Sequence, residues 1–162
     1  MKFKPANLKN VLMLTFLLSG SVLLSQTREQ SRVFVSRTHI AIAKIEKEMY
    51  YTGQNNFDAD VKKAIKYQMI AVKLFKENNF KDAVAYSYKS RVQSMEICSK
   101  MNIAEGSTYE LNAEEKTFCD PSKYTSMNFN IGLLSSDDSQ KVETLDMLNP
   151  QKFHELELGN LK

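Results

Sequence analysis

The chain has no tryptophan, and its glycines, prolines, cysteines and histidines number only five, three, two and two in 162 residues. Each shortage excludes a class of chemistry. A zinc or other transition-metal centre needs imidazole or thiolate ligands at short spacing. His39 and His154 stand far apart, as do Cys98 and Cys119. There is no Cys-x-x-Cys-His for covalent haem, and no inward Glu-x-x-His pair of the kind a di-iron bundle uses. The scattered glycines form no phosphate-binding loop, and Gly-x-Ser-x-Gly is absent. No cofactor and no metal are therefore expected. Beyond residue 25 no run is long and apolar enough to span a bilayer.

Acidic residues are also missing from the first 25 positions, which hold Lys2, Lys4 and Lys9. Val11 to Leu18 follows without a charge, and Val22 to Leu24 resumes the apolar character before Ser25. Charge, then grease, then small residues is the order of a secretory signal peptide. Val11 to Leu24 falls short of the roughly 20 residues of a spanning helix. Residues 1–25 are expected to be a cleaved signal, with cleavage after Ser21 or Ser25, and the remainder to be exported to the periplasm or the extracellular space.

The overall charge of +3 comes from that leader, since 19 Lys/Arg and 19 Asp/Glu remain after it. A nucleic-acid binder normally carries a basic excess, so that class falls. The balance is uneven along the chain. Residues 26–102 hold 14 basic and 8 acidic side chains, a net of +6, and residues 103–162 hold 5 and 11, a net of −6. The acidic half is expected to lie on the basic half, although the lysines could instead meet an acidic partner.

The fold class expected is mainly α. Residues 26–102 read as an antiparallel three-helix bundle, and residues 103–162 as an irregular acidic region packed on it. In the first segment Phe34, Thr38, Ala41, Ile42, Ile45 and Met49 recur at helical steps, and Thr52-Gly53 ends the pattern. The second starts near Asp58, with Val61, Ala64, Ile65, Gln68, Val72 and Phe75 on one face. Tyr67, Ile70, Ala71 and Leu74 widen that face, leaving a narrow polar stripe of Lys62, Lys66, Lys73 and Glu77. Such a helix must be covered on more than one side. The third runs from about Lys81 to Met101. Val84, Tyr88, Met95 and Cys98 face the core beside a small-residue stripe of Ala83, Ser87, Ser90 and Ser94.

Residues 67–95 resemble one tetratricopeptide repeat, a helix–turn–helix unit. Tyr67, Ile70, Ala71 and Leu74 occupy the first helix's aromatic, apolar and small positions. Asn78 and Phe80 fit the turn, and Ala83 is the small residue of the second helix. Ser87, Ser90 and Met95 depart from the usual aromatic, Ala and Pro, and no second copy is found. The resemblance implies a TPR-like helical hairpin and a role in binding peptides or proteins.

The helical period fades after residue 103. Met127, Phe129, Ile131 and Leu133 alternate with polar residues or Gly132. That alternation suits either a short strand paired with Tyr109, Leu111 and Ala113, or an extended segment lying on the helices. Ser135 to Asp138 opens a short helix with Val142, Leu145 and Leu148 on one side. Pro150 starts another turn anchored by Phe153 and Leu156.

Cys98 and Cys119 are disulfide candidates in an exported protein. Such a bridge would close a loop of about 20 residues, worth about 3 kcal/mol. The alternative is two separate thiols, with Cys98 packed as a small apolar residue. Glu114-Glu115 and Asp137-Asp138 are adjacent pairs that point apart and are expected to be solvated. Lys62, Lys66 and Lys73 are the candidate binding residues. The function expected is a non-catalytic interaction or structural module for a protein or peptide. The alternative is a small exported enzyme built on Cys98, Cys119, His39 or His154.

Overall fold

The computed structural model describes residues 27–103, 108–159 and 161, so the expected signal peptide lies outside the described residues. Three long helices come first. Helix α1 spans Arg28–Thr52, α2 spans Asp58–Lys76 and α3 spans Phe80–Lys100. The start of α1 is set by a capping box, in which the Thr27 hydroxyl accepts from the Gln30 N–H and the Gln30 side chain accepts from the Thr27 N–H. Its end is set by Gly53, at φ 66°. Helix α2 begins at Asp58, as its sequence suggests, with Phe57 at the N-cap and Asp58 in the first turn, where it pairs with Lys62.

Both α2 and α3 end the same way. Asn78 and Asn102 take positive φ, 62° and 54°. The next N–H in each case reaches back to a carbonyl five residues earlier, Asn79 to Leu74 and Ile103 to Cys98. This is the Schellman closure, with asparagine in the place glycine usually holds. The tight turn after Asn78 folds α3 back along α2 as an antiparallel hairpin over the stretch 67–95.

The small-residue stripe of α3 is the face that meets α2. Ala83, Ser87, Ser90 and Ser94 have no solvent exposure, and the Ser90 hydroxyl donates to the Ala64 carbonyl at 2.7 Å. Side chains this short let the helices approach, and their hydroxyls find acceptors on the backbone or, for Ser87, on the Gln68 side chain, so burial leaves no orphan. α1 covers the other side of the hairpin through Phe34, Val35, Ile42 and Ile45, all fully buried.

The acidic C-terminal region wraps this bundle with short pieces: α4 at Glu115–Phe118, 3-10 turns at Pro121–Tyr124 and Ile131–Leu133, α5 at Ser136–Glu143 and α6 at Pro150–His154. Ser135 caps α5 as its sequence suggests, accepting from the Asp138 N–H. Val142, Leu145 and Phe153 are buried, but Met147 takes the buried place expected of Leu148. No strand forms among the described residues. Of the alternating stretch 127–133, residues 127–130 form an extended segment lying on the helices, and Ile131–Leu133 closes into the 3-10 turn. Phe129 packs edge-on to Tyr67 and Tyr86, and the Tyr86 hydroxyl takes the Asn130 N–H at 3.0 Å. Alternation aims one set of side chains at a surface, and here that surface is a helical hairpin rather than a sheet.

Candidate functional site

The three candidate lysines sit on the face of α2 that the C-terminal region covers. Lys62 donates to the Glu143 carbonyl at 2.9 Å, Lys66 pairs with the Glu143 carboxylate, and Lys73 donates to the Leu133 carbonyl at 2.8 Å. Lys76, on the same stripe, reaches Glu157. An outside acidic partner would have to displace these contacts.

The cysteines stand in different parts of the core, and no disulfide joins them. The Cys98 Sγ lies 2.9 Å from the Tyr109 hydroxyl, which in turn donates to the Ala41 carbonyl at 3.3 Å. Burial pushes the Cys119 thiol up to about 12, the opposite of what a nucleophilic thiolate requires.

The charged centre of the molecule is one that sequence reasoning did not find. Arg91, in the middle of α3, is 1% exposed. Its guanidinium contacts both Glu115 oxygens, at 3.0 and 3.1 Å, and donates to the Thr38 hydroxyl and to the Phe34 carbonyl. It also lies over the Phe34 ring at 4.1 Å. Arg37 of α1 shares the same carboxylate. Glu115 was expected in solvent. It is instead 2% exposed and held by a reciprocal cap, in which the Asn112 N–H donates to its carboxylate and the Asn112 side chain accepts from its N–H. Burial pushes Glu115 up, but Arg91, Asn112 and Arg37 outweigh it and hold the carboxyl below its ordinary range. The signal was present in the spacing, because Arg91 falls on the buried series Val84, Ser87, Ser94 and Cys98. An arginine there demands a buried acid, but nothing local says which.

Gln68 is a second buried junction. Its amide N–H groups donate to the Val35 carbonyl of α1 and the Leu158 carbonyl of the C-terminal segment, at 2.7 and 2.8 Å, while Ser87 of α3 donates to its oxygen at 3.1 Å. One side chain thus holds three elements against its own helix. Both junctions use their hydrogen-bonding capacity on the protein itself, which makes them structural rather than reactive.

The two histidines meet at the flank of α1. His39 stacks on Phe153 of α6, with ring centroids 5.8 Å apart and 11° between planes. Gly159 passes so close that a Cβ there would lie 2.8 Å from the His39 Cβ, and Ser36 donates to the Gly159 carbonyl. Burial, with a smaller contribution from His154, lowers the His39 imidazole below its ordinary value. Its Nδ1 is buried without a hydrogen-bond partner among the described residues, as is Oε1 of Glu46. No group of three or more potential metal ligands occurs among the described residues.

Beside His39 opens a cleft of about 960 Å³. One wall is α1, with Arg28, Arg32, Ser36 and Ile40. The others are the end of α2, with Phe75, and the segment from His154 to Leu161. The cleft combines the cations Arg28, Arg32 and Lys76 and the carboxylates Glu155 and Glu157 with apolar side chains, and it runs along α1, not along the α2–α3 hairpin. No family, no curated protein and no solved structure matches this chain.

Proposed function

We propose that this chain is an exported, non-catalytic binding module that holds a protein or peptide partner against α1. The observation that supports it best is where the uncovered apolar surface lies. Of the five large apolar side chains exposed among the described residues, Val33, Ile40, Tyr50 and Tyr51 all belong to α1. One of them, Ile40, also lines the 960 Å³ cleft. Scattered apolar residues on a surface need no explanation, but a set gathered on one helix next to a cleft does. Export is supported by the leader pattern of residues 1–25. The non-catalytic reading is supported by the buried arginine, glutamate, glutamine and thiols, which serve packing and hydrogen bonding.

Photo-crosslinking tests the site. A crosslinkable residue at position 40, placed in the mature chain and exposed to envelope extract, should yield a discrete adduct that the same group at the exposed Lys123 does not. Equal labelling from the two positions would overturn the site. Catalytic turnover in a substrate screen, abolished by His39→Ala with native circular dichroism, would overturn the non-catalytic assignment.

A further inference from the structure

Residues 150–159 close over the flank of α1 as a strap that is seated at its ends and undercut in its middle. Phe153 and Leu158 are fully buried. Between them, Glu155, Leu156 and Glu157 line two cavities at once. One is the 960 Å³ cleft against α1, and the other, of about 520 Å³, lies against α2 and α5. A segment with open space on both sides depends on few contacts, which is the mark of a unit that opens locally.

Those contacts converge on His39. Phe153 stacks on its ring from one end of the strap, and Gly159 passes it at the other, too close for a Cβ. Ser36 holds the Gly159 carbonyl and Gln68 the Leu158 carbonyl. The His39 Nδ1 is buried with no hydrogen-bond partner among the described residues. We propose that residues 150–159 are a pH-released strap: proton uptake by His39 unseats them while the three-helix bundle stays folded.

A protonated imidazole must donate from both ring nitrogens. At His39 the proton on Nδ1 would meet neither water nor an acceptor, and burying an unmatched charged donor is costly. The Phe153 ring returns only part of that cost. The charged groups that share the cleft with His39 are Arg28 and Arg32 of α1, Lys76 of α2, and His154, Glu155 and Glu157 of the strap. Arg32 pairs with Glu29 and Lys76 with Glu157. His154 opposes a positive charge on His39. Glu46, two turns further along α1, is buried and interacts with His154. Burial and His154 hold His39 below its ordinary 6.5. The strap's seating is therefore complete above that value and is lost as pH falls through the lower folded one. The bundle does not depend on the strap in the same way. Gln68 keeps Val35 and Ser87 when Leu158 leaves, and Glu115 weakens only below 4.5. Departure of the strap joins the two cavities into one groove between α1 and α2.

Amide hydrogen exchange of the mature chain, read residue by residue between pH 7 and pH 5 and corrected for intrinsic rates, tests this. Protection at Leu156 and Leu158, whose N–H groups bond within the strap, should fall by about tenfold. Ala71 of α2 and Ala85 of α3 should not change. The His39 ring proton, followed by NMR, should titrate below 6.5 in step with that fall. In His39→Gln, which has no imidazole to charge, protection at the two strap amides should be independent of pH over this range, whatever its level. Glu46→Gln should keep the fall, and His154→Gln should keep part of it. Any one of four results overturns the proposal: no fall in the unaltered chain, the same fall in His39→Gln, its disappearance in Glu46→Gln or His154→Gln, or equal loosening at Ala71 and Ala85.

Discussion

Glu115 and Glu143 both come from the acidic C-terminal region, and both meet cations on the helices. Glu115 is buried between Arg91 and Arg37, with Asn112 and the Phe34 ring closing the site. Glu143 sits in solvent against Lys66. The difference shows how one charge asymmetry does two kinds of work. A buried pair owes its strength to the absence of water and to full hydrogen bonding, and it fails badly when one member is lost. An exposed pair is screened and must hold two long side chains still, so it steers the wrapping more than it holds it.

The largest effect should come from breaking the buried pair. Arg91→Ala takes from the buried Glu115 the deeper of its two guanidiniums and strips partners from Phe34 and Thr38. It should destabilise by about 3–5 kcal/mol in urea titration. A double exchange, Arg91→Met with Glu115→Leu, should recover most of that loss, because the desolvation penalty disappears with both charges. Acid should act in the same direction. Glu115 is held below its ordinary value, so its stabilisation is complete above the ordinary 4.5 and is lost as pH falls through the lower folded value.

Next comes Gln68→Ala, which removes three buried hydrogen bonds at once and should cost about 1–3 kcal/mol. It differs from Arg91→Ala in where it acts. Hydrogen exchange should accelerate at Leu158 and its neighbours before the bundle opens, because the Leu158 carbonyl loses its donor.

A smaller effect of opposite sign is expected at Glu46. Burial raises its carboxyl, with His154 opposing in part, and its Oε1 has no hydrogen-bond partner among the described residues. A group raised in this way is at its most favourable below the ordinary carboxyl value and loses ground as pH rises through the folded one. Glu46→Gln should therefore raise the melting temperature at pH 7 and make little difference near pH 4. An equal gain at both would mean that the buried charge is not the cause.

Least of all should follow from Lys66→Ala. The denaturation midpoint should move only marginally, and the shift should vanish in high salt. A loss as large as that of Arg91→Ala would erase the distinction between the two pairs.

Much of the bundle was legible because helices announce themselves locally. Gly53 and Asn78 mark turns. Thr38 and Gln68 fall on apolar faces, and Ser135 marks the start of α5. The site was far less legible. Lys62, Lys66 and Lys73 stood out as an exposed stripe, yet the chain's own C-terminal region meets them. Glu115 looked like half of a solvated pair and is the buried partner of an arginine 24 positions away. The exposed Val33, Ile40, Tyr50 and Tyr51 of α1 became visible only once the rest of that helix was seen to be covered.

The sequence by itself determined the helical class, the turns and the charge asymmetry, because propensity, capping and period act within a few residues. Only the tertiary structure decided which acid enters the core, which lysines are covered and which face of α1 stays open. Those outcomes depend on competition among distant groups for the same buried space, and no local pattern records who wins.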